Sequence, residues 1–313
     1  MDVDALIAGV LAGDRRAVAR AISLVEDGRP ELEALSAGIF ASTGRAATIG
    51  LTGAPGVGKS TLATELVRVE REAGVTVAVL AIDPTSPYTG GALLGDRVRM
   101  QEHATDPGVF IRSMATRGHL GGMALAAPEA VRILDAAGYA QIVVETVGVG
   151  QAEVDVAAAT DTAVVVLAPG MGDAIQMAKA GILEIADVFV VNKADREGAA
   201  DVVRDLRQML HLAPARPWDP PVLQTSALDH DGIAELRAAI AAHRDHLDAS
   251  GDLPARRRTR LVREVEQLAA ERFRTRVSAS LAADETVVRD LESRTIDPYR
   301  AAAMLGDETA AAE

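Results

Sequence analysis

A glycine-rich loop between an apolar segment and a helix-forming segment constrains the fold of this chain more than any other feature. Residues 53–60 read Gly-Ala-Pro-Gly-Val-Gly-Lys-Ser, which matches the pattern G-x-x-x-x-G-K-[ST]. The apolar residues 46–52 predict a buried strand before the loop, and the residues from Thr61 onward predict a helix after it. This order of strand, loop and helix is the setting in which backbone N–H groups surround phosphates. The sequence therefore predicts an α/β fold that binds a nucleotide.

Two side chains of this loop carry charge and metal chemistry. Lys59 is expected to neutralise the β- and γ-phosphates, and the Ser60 hydroxyl can ligate Mg²⁺. The positive end of the helix dipole adds to the attraction for phosphate. The predicted phosphate-binding residues are Gly53, Ala54, Pro55, Gly56, Val57, Gly58, Lys59, Ser60 and Thr61.

A second motif points to guanine. An apolar segment over 188–191 runs into Asn192-Lys193-Ala194-Asp195, the arrangement N-K-x-D. The Asp195 carboxylate can accept from N1–H and the exocyclic amine of guanine, and adenine offers no such pair of donors, so a buried carboxylate would stay unpaired. Four-residue patterns of this kind also occur as helix N-caps, but the position after several α/β units favours the guanine interpretation. Further on, 221–225 predicts a strand, followed by Ser226, Ala227 and Leu228, where a backbone N–H could meet guanine O6.

Composition excludes several classes of protein. The 313 residues carry a net charge of −13, which argues against broad binding to nucleic acid or to anionic membranes. There are no cysteines, so disulfides and thiolate metal sites are impossible, and a cytoplasmic location is the simplest expectation. No segment is apolar enough for a membrane span, and the acidic N-terminus is unlike a targeting peptide.

Apolar periodicity predicts a mostly parallel sheet flanked by helices, with helical extensions at both ends. We expect an N-terminal helical extension over 1–44, a nucleotide-binding domain over 45–249 and a C-terminal helical extension over 250–313. In the last of these, apolar residues recur at helical spacing in a stripe that a lone helix cannot bury, which predicts a homodimer interface. The stripe consists of Leu261, Val265, Leu268, Ala269 and Phe273, and the predicted strands are 46–52, 75–82, 108–112, 140–146, 161–168, 187–191 and 221–225.

Three carboxylates are candidates for the metal. Asp83 falls at the carboxyl end of the second predicted strand, where parallel sheets bind ligands, although it could be a turn residue. Asp96 follows a glycine-rich segment and could instead be a helix N-cap. Glu145 ends the strand over 140–146, where GTPases carry the Asp of D-x-x-G, and its position suits Mg²⁺. Gly148 can then offer a backbone N–H to the γ-phosphate.

The groups that would orient the attacking water are less well defined. Position 149 is Val, whereas small signalling GTPases place a glutamine directly after this glycine. Gln151 is the nearest alternative, and Lys179 could add positive charge, but on sequence alone a surface position explains both residues better.

Two further patterns favour solvent exposure over function. His243 and His246 are three residues apart on a predicted helix, and a solvated face is the simpler explanation than a metal site. The run of arginines over 256–258 is interpreted as a solvated helix start rather than a nucleic-acid patch, given the acidic chain.

Together these segments resemble the MeaB/ArgK family of GTPases. The resemblance rests on Asp83-Pro84-Thr85-Ser86-Pro87, on residues 90–96 and 117–122, and above all on Glu145-Thr146-Val147-Gly148-Val149-Gly150-Gln151, and it covers nearly the whole chain. The family belongs to the dimerising class of phosphate-loop GTPases. Its members are homodimeric chaperones of adenosylcobalamin-dependent methylmalonyl-CoA mutase, which stimulates their GTP hydrolysis.

The resemblance implies specific roles. It implies an Mg²⁺ shell of Ser60, Asp83, Asp96 and Glu145, and it makes residues 168–179, ending in Lys179, a mobile switch that contacts an acyl-CoA mutase. Ala152 departs from the family, which commonly has Ser there. An older label for the family, a kinase or ATPase of lysine/arginine/ornithine transport, is the alternative function. A nickel-insertion GTPase is disfavoured by the lack of Cys and of His clusters. The implied catalytic residues are Lys59, Glu145, Asp96, Gln151 and Lys179, with GTP or GDP as bound nucleotide.

Overall fold

The chain alternates strands and helices around one parallel sheet. The computed structural model describes residues 1–84, 103, 105–116, 122–146, 152–170, 182–283 and 285–310. The strands are β1 Ala47–Thr52, β2 Val77–Pro84, β3 Val109–Thr116, β4 Gln141–Thr146, β5 Thr162–Leu167, β6 Val188–Asn192 and β7 Val222–Thr225. The helices are α1 Val3–Leu11, α2 Arg15–Asp27, α3 Glu31–Ile39, α4 Lys59–Glu72, α5 Gly122–Ala136, α6 Ala152–Ala159, α7 Ile182–Ile185, α8 Ala199–Leu212, α9 Ile233–Ser250, α10 Asp252–Ala283, α11 Thr286–Glu292 and α12 Pro298–Ala310.

The seven strands form a sheet in the order β3-β2-β4-β1-β5-β6-β7, and every neighbouring pair is parallel. This confirms the α/β prediction, and each predicted strand corresponds to an observed one. The central strand β1 aligns Leu51 with Glu145 of β4 and with Val164 of β5. Because all strands run the same way, their carboxyl ends meet at one edge of the sheet, where parallel sheets place their ligands.

Alternate residues of the strands face two different cores. On β2, Ala78, Leu80 and Ile82 belong to one buried cluster, whereas Val77 and Val79 belong to another. This is the two-residue period of a strand buried on both faces, and it explains why the strands are almost continuously apolar. Helices α4 and α9 cover one face. On the other face, α5 packs together with α1, α2 and α3.

Capping residues fix both ends of the second N-terminal helix. The Asp14 carboxylate accepts from the N–H groups of Arg16 and Ala17 and caps α2, and Gly28 closes that helix at φ 58°. Val18 and Ile22 of α2 are fully buried in the core shared with the sheet. The three helices therefore lie within one compact unit, Met1–Arg260, and Leu261–Glu313 forms a second compact unit.

The amino edge of the sheet binds the first turns of α10 through two buried aspartates. The Asp161 carboxylate accepts from Arg257, with one N–O distance of 2.6 Å, and from Arg260. Asp187 accepts from Arg256 at 3.1 Å. The interpretation of the arginine run as a solvated helix start was therefore wrong for Arg257, which packs against the buried Asp161. Arg256 is exposed as predicted, although it also binds Asp187.

The prediction of a solvated face was also wrong for His243, which is completely buried. Its Nδ1 lies 2.9 Å from the Thr162 hydroxyl and its Nε2 lies 3.2 Å from Asp187 Oδ1, and the Trp218 ring packs 5.1 Å from the imidazole. The order hydroxyl, imidazole, carboxylate is that of a nucleophilic triad, but all three residues are buried, so no substrate reaches the hydroxyl. The arrangement is part of the core.

Within the part of the chain that the structure describes, none of the helices combines the length and the apolar character needed to cross a membrane.

Candidate nucleotide-binding site

The phosphate loop connects β1 to α4 at the carboxyl edge of the sheet, and two of its glycines are required by its geometry. Gly53 has φ 139°, and a Cβ there would lie 2.1 Å from the Val166 carbonyl oxygen of β5. Gly58 has φ 97°, and a Cβ there would lie 2.4 Å from Asn192 Nδ2. Any side chain at these positions would both strain the backbone and displace a neighbouring element. The loop is thus pressed against β5 and β6.

Lys59 opens α4 and directs its ammonium group back over the loop. Its Nζ donates to the carbonyl oxygens of Gly53, at 2.5 Å, and Ala54, at 3.1 Å, and the residue is buried. A cation held at the start of a helix, inside a turn of backbone N–H groups, favours polyphosphate over other anions.

Ser60 and Glu145 meet beside the loop. The Ser60 hydroxyl donates to Glu145 Oε1 at 2.6 Å, and both residues are buried. The β2 strand pairs with β4 through Ala81 and Glu145, which brings the backbone of Asp83 to the same edge of the sheet. The side chain of Asp83 and the whole of Asp96 lie outside the described residues. A hydroxyl and a carboxylate in contact are the hard oxygen donors that Mg²⁺ prefers, so the two described side chains fit this ion.

Asn192 joins the guanine motif to the phosphate loop. Its Nδ2 donates to the Val57 carbonyl oxygen at 2.9 Å, and its Oδ1 accepts from the Thr225 hydroxyl at 3.1 Å and from the Ala227 N–H at 3.2 Å. The residue is buried, and all of its described contacts lie far away in sequence. One side chain thus binds the phosphate loop, the end of β6 and the end of β7 together.

Lys193 and Asp195 flank this contact. Lys193 adopts φ 59° and its Nζ donates to the Gly56 carbonyl oxygen at 2.6 Å, which lays its stem along the loop. Asp195 is exposed, and its Oδ1 accepts from the Ser226 hydroxyl at 3.1 Å. The motif over 192–195 and the segment over 226–228, which sequence analysis singled out separately, are therefore in direct contact.

A family model described as methylmalonyl Co-A mutase-associated GTPase MeaB matches residues 18–282. The chain belongs to the MeaB family.

This MeaB-family chain is similar to known proteins over most of its length. A Pyrococcus horikoshii protein named as a GTPase is 49% identical over 304 residues, which cover 96% of this chain and 96% of that protein. A Caenorhabditis elegans protein named methylmalonic aciduria type A homolog, mitochondrial, is 36% identical over 280 residues, covering 83% of this chain and 70% of that protein. A crystal structure of an LAO/AO transport system kinase has a TM-score of 0.72 at 29% identity, covering 98% of this chain and 97% of its own. The MeaB-family chain is a phosphate-loop GTPase that binds GTP and GDP.

Several predicted residues of this MeaB-family site are not described by the structure. Gly148, Gln151 and Lys179 lie outside the described residues, as does Asp96. Of the remaining candidates, Pro55, Gly56 and Leu228 are exposed, while Val57, Ser226 and Ala227 are buried.

Sequence reasoning missed Thr225, which supports Asn192. The Thr225 side chain is fully buried, although it ends a strand whose other described residues are partly exposed or exposed. The sequence signal that could have identified Thr225 is a polar residue at the end of the strand that lies next to the guanine motif. The Thr225 carbonyl oxygen also accepts from the Ala194 N–H at 3.0 Å, so it holds the motif by main chain and side chain together.

Proposed function

We propose that this GTPase is a chaperone of a cobalamin-dependent acyl-CoA mutase, in which GTP binding and hydrolysis gate adenosylcobalamin loading and protect or reactivate the mutase. The description of the matching family supports the partner, since it names a GTPase associated with methylmalonyl Co-A mutase. The name of the C. elegans relative, methylmalonic aciduria type A homolog, refers to the same acid. We place the protein in the cytoplasm, without association to membranes or nucleic acid.

In this proposal Asp195 reads the guanine base, with Lys193 along its face and the segment over 226–228 at O6. The observation that carries the proposal is the hydrogen bond from Asn192 Nδ2 to the Val57 carbonyl oxygen at 2.9 Å, because it connects a base-reading motif to a phosphate loop. A site that couples the two ends of the nucleotide can respond to both its base and its phosphates.

Hydrolysis in this site is attack of a water molecule on the γ-phosphorus, with cleavage of its bond to the β–γ bridging oxygen and release of GDP and phosphate. Ser60 and Glu145, with Asp83 and Asp96, would hold Mg²⁺, which when bound supplies positive charge at the β- and γ-phosphates. Lys59 offsets the negative charge that grows on the leaving group, and Gly148 donates its N–H to the γ-phosphate. Gln151 and Lys179 assist by orienting water and stabilising charge.

The same proposal makes the chain a homodimer whose hydrolysis is slow without the mutase. Val149 cannot orient water, so binding of the mutase is expected to bring Lys179, in the segment over 168–179, toward the γ-phosphate. The apolar stripe of α10 is exposed along its length, with Leu261, Val265, Leu268 and Phe273 between 42% and 65% exposed, which supports a second copy as its partner.

The deciding experiment measures GTP turnover of the protein with and without methylmalonyl-CoA mutase, and with isobutyryl-CoA and ethylmalonyl-CoA mutases in parallel. We expect one of these to raise turnover by about tenfold or more, because a partner that orders catalytic groups of a GTPase has effects of at least this size. Lys179→Ala should keep the basal rate and lose most of the stimulation. Equal turnover with all three mutases and with buffer alone would refute the chaperone function.

The alternative is a transport-linked kinase, which the name of the similar crystal structure suggests. A kinase would transfer the γ-phosphate to a protein side chain, whereas a GTPase transfers it to water. Incubation with γ-labelled GTP and ATP, followed by separation of free phosphate from labelled protein, distinguishes the two. Labelled protein that forms with ATP rather than with GTP would favour the kinase.

A further inference from the structure

A histidine in a left-handed backbone conformation connects the segment after β7 to helix α4. His230 has φ 60°, and its Nδ1 lies 2.6 Å from Oε2 of Glu65. Such a φ is uncommon for residues other than glycine, and histidine and asparagine adopt it more readily than most. The contact joins an exposed side chain, His230, to a buried one, since the Glu65 side chain is 6% exposed.

Glu65 is a rigid, charged acceptor. Arg68 Nε, one turn further along α4, donates to the same Oε2 at 2.8 Å. Burial alone would raise the pKa of Glu65, but the hydrogen bonds and charges of His230 and Arg68 outweigh it, so the pKa lies below its ordinary value. The carboxylate therefore stays ionised on the helix that begins at the phosphate loop.

On the other side of the contact, His230 belongs to a closed turn that begins at Ser226. The N–H of Ser226 donates to the Asp231 carbonyl oxygen and the N–H of Asp231 donates back to Ser226, both at 3.1 Å. The Ser226 hydroxyl lies 2.5 Å from Asp229 Oδ2 and 3.1 Å from Asp195 Oδ1, so the two carboxylates share its one proton. Since His230 sits between Asp229 and Asp231, any displacement of its backbone reaches Ser226.

Gly232 completes the turn with no room to adjust. It has φ 73°, and a Cβ there would lie 2.2 Å from the Gln224 carbonyl oxygen of β7. The turn is thus fixed at both strand β7 and helix α4. The segment it holds includes Ala227, whose N–H donates to Asn192.

We propose that His230 is a positioning residue for guanine recognition, which through Glu65 holds the segment over 226–228 against Asn192 and Asp195. The inference rests on the guanine-binding role proposed above for Asp195. The ligand is the guanine base of GTP or GDP, and His230 acts on it through the turn rather than by contact. The contact also joins the base end of the site to α4, whose first residues, Lys59 and Ser60, serve the phosphates.

The test is a double-mutant cycle on nucleotide affinity in the full-length protein. His230→Asn keeps a residue that tolerates positive φ, and Glu65→Gln keeps the shape of the side chain but removes its charge. Each single substitution should raise the Kd for GDP about three- to fivefold, which is the scale of losing one side-chain hydrogen bond. The double variant should bind GDP no more weakly than whichever single variant has the higher Kd, because both substitutions remove the same contact. The Kd for ADP, measured by competition, should not change.

A second readout separates positioning from general destabilisation. The KM for GTP should rise by more than kcat falls, since the turn acts on base binding rather than on the γ-phosphate. Arg237→Ala is the matched control: Arg237 lies on α9, outside the turn, and its Nε is 3.0 Å from Oε1 of Glu70 on α4. It should leave the GDP affinity unchanged.

Three results would overturn the role of His230. The effects of the two substitutions on the Kd for GDP could be additive, the affinity for ADP could fall as much as that for GDP, or Arg237→Ala could lower the GDP affinity as much as His230→Asn does. If Glu65→Gln does not fold, the ratio of GDP to ADP affinity in His230→Asn, set against Arg237→Ala, decides the question alone. Failure of the proposed guanine site looks different, because the unsubstituted protein would then bind GDP and ADP equally well.

Discussion

Asn192 shows at the scale of one residue how the site is assembled. Its side chain amide donates to the phosphate loop and accepts from the strand and segment beside it. Asn192 is buried, so losing the Val57 acceptor would leave its Nδ2 without that hydrogen bond at a cost of about 1–3 kcal/mol. Neither the phosphate loop nor the guanine motif can therefore shift without affecting the other.

Gly58 is the phosphate-loop residue that makes this contact possible. We expect Gly58→Ala to lower the affinity for GDP by about tenfold or more and to destabilise the protein by about 1–2 kcal/mol. The backbone at φ 97° is strained for alanine, and the added Cβ would lie 2.4 Å from Asn192 Nδ2. Gly138→Ala is the matched control, because Gly138 has φ 88° with no atom within 4 Å of the added Cβ. Calorimetric titration with GDP and thermal unfolding measure the two effects. Equal loss of GDP affinity in both variants would mean that backbone strain alone, and not the contact with Asn192, matters.

Asp195 carries the proposed base selectivity. Asp195→Asn should weaken GDP binding about 100-fold, because the carboxylate that accepts from two guanine donors is lost. The amide can instead donate to the C2 carbonyl of xanthine, so XDP should bind more tightly than to the unsubstituted protein. Competition of GDP, XDP and ADP against a fluorescent nucleotide gives the three affinities. An unchanged order of affinities in the variant would show that another residue reads the base.

At the scale of elements, the first turns of α10 are bound to the amino ends of β5 and β6. Asp161 is buried and accepts from Arg257 and Arg260, and it also accepts from the N–H of Thr48 on β1 at 3.3 Å. Burial raises the pKa of Asp161, but the hydrogen bond from Arg257 and the charges of Arg260 and Arg257 outweigh it and lower the pKa from 3.8 to about 2. The ionised carboxylate is therefore the form that the folded state stabilises.

This depressed pKa predicts how stability depends on pH. The stabilisation by Asp161 is present above the unfolded-state pKa of 3.8 and is lost as the pH falls toward 2. Its size is about 2 kcal/mol, from the shift in pKa. The difference in the free energy of unfolding between the unsubstituted protein and Asp161→Asn should shrink by about this amount between pH 6 and pH 2 in urea titrations. Asp245→Asn, at an exposed carboxyl on α9, is the control; the same pH dependence there would show that Asp161 is not responsible.

At the scale of the whole molecule, α10 carries a group of exposed apolar residues. Val265 is 65% exposed and Leu268 is 43% exposed, and both lie on a helix with several other exposed apolar residues. Contiguous apolar surface of this kind is typical of a protein–protein interface. A second copy of the chain is the partner in our proposal.

We expect the combined substitution Val265→Glu and Leu268→Glu to convert the dimer to a monomer without loss of GDP binding, because two charges would be buried at the interface. Light scattering of the full-length protein gives the molar mass. Gln267→Glu adds a charge to the same helix away from the stripe and should leave the dimer intact. A monomeric unsubstituted protein, or a dimer that survives both glutamates, would contradict the proposed interface.

The parallel sheet, the order of the elements and both nucleotide motifs could be predicted from the chain alone. The strands are buried on both faces, so their apolar runs are nearly continuous and bounded by turns, as over 162–167 and 188–192. The phosphate loop needs glycines at fixed positions because its backbone is strained and crowded, and this leaves a pattern that is local in sequence. The same holds for the capping of α2 by Asp14 and Gly28.

Only the tertiary structure determined the contacts between residues that are far apart in sequence. Nothing near Arg257 in the chain indicates that Asp161 binds it, and nothing near His243 indicates burial beside Trp218. The contacts of Asn192 with Val57 and of His230 with Glu65 are of the same kind. Local sequence encodes backbone conformation and apolar periodicity, because both depend on neighbouring residues. The partner of a charged or polar group depends instead on which chain segments the sheet brings together, and that is determined only when the chain has folded.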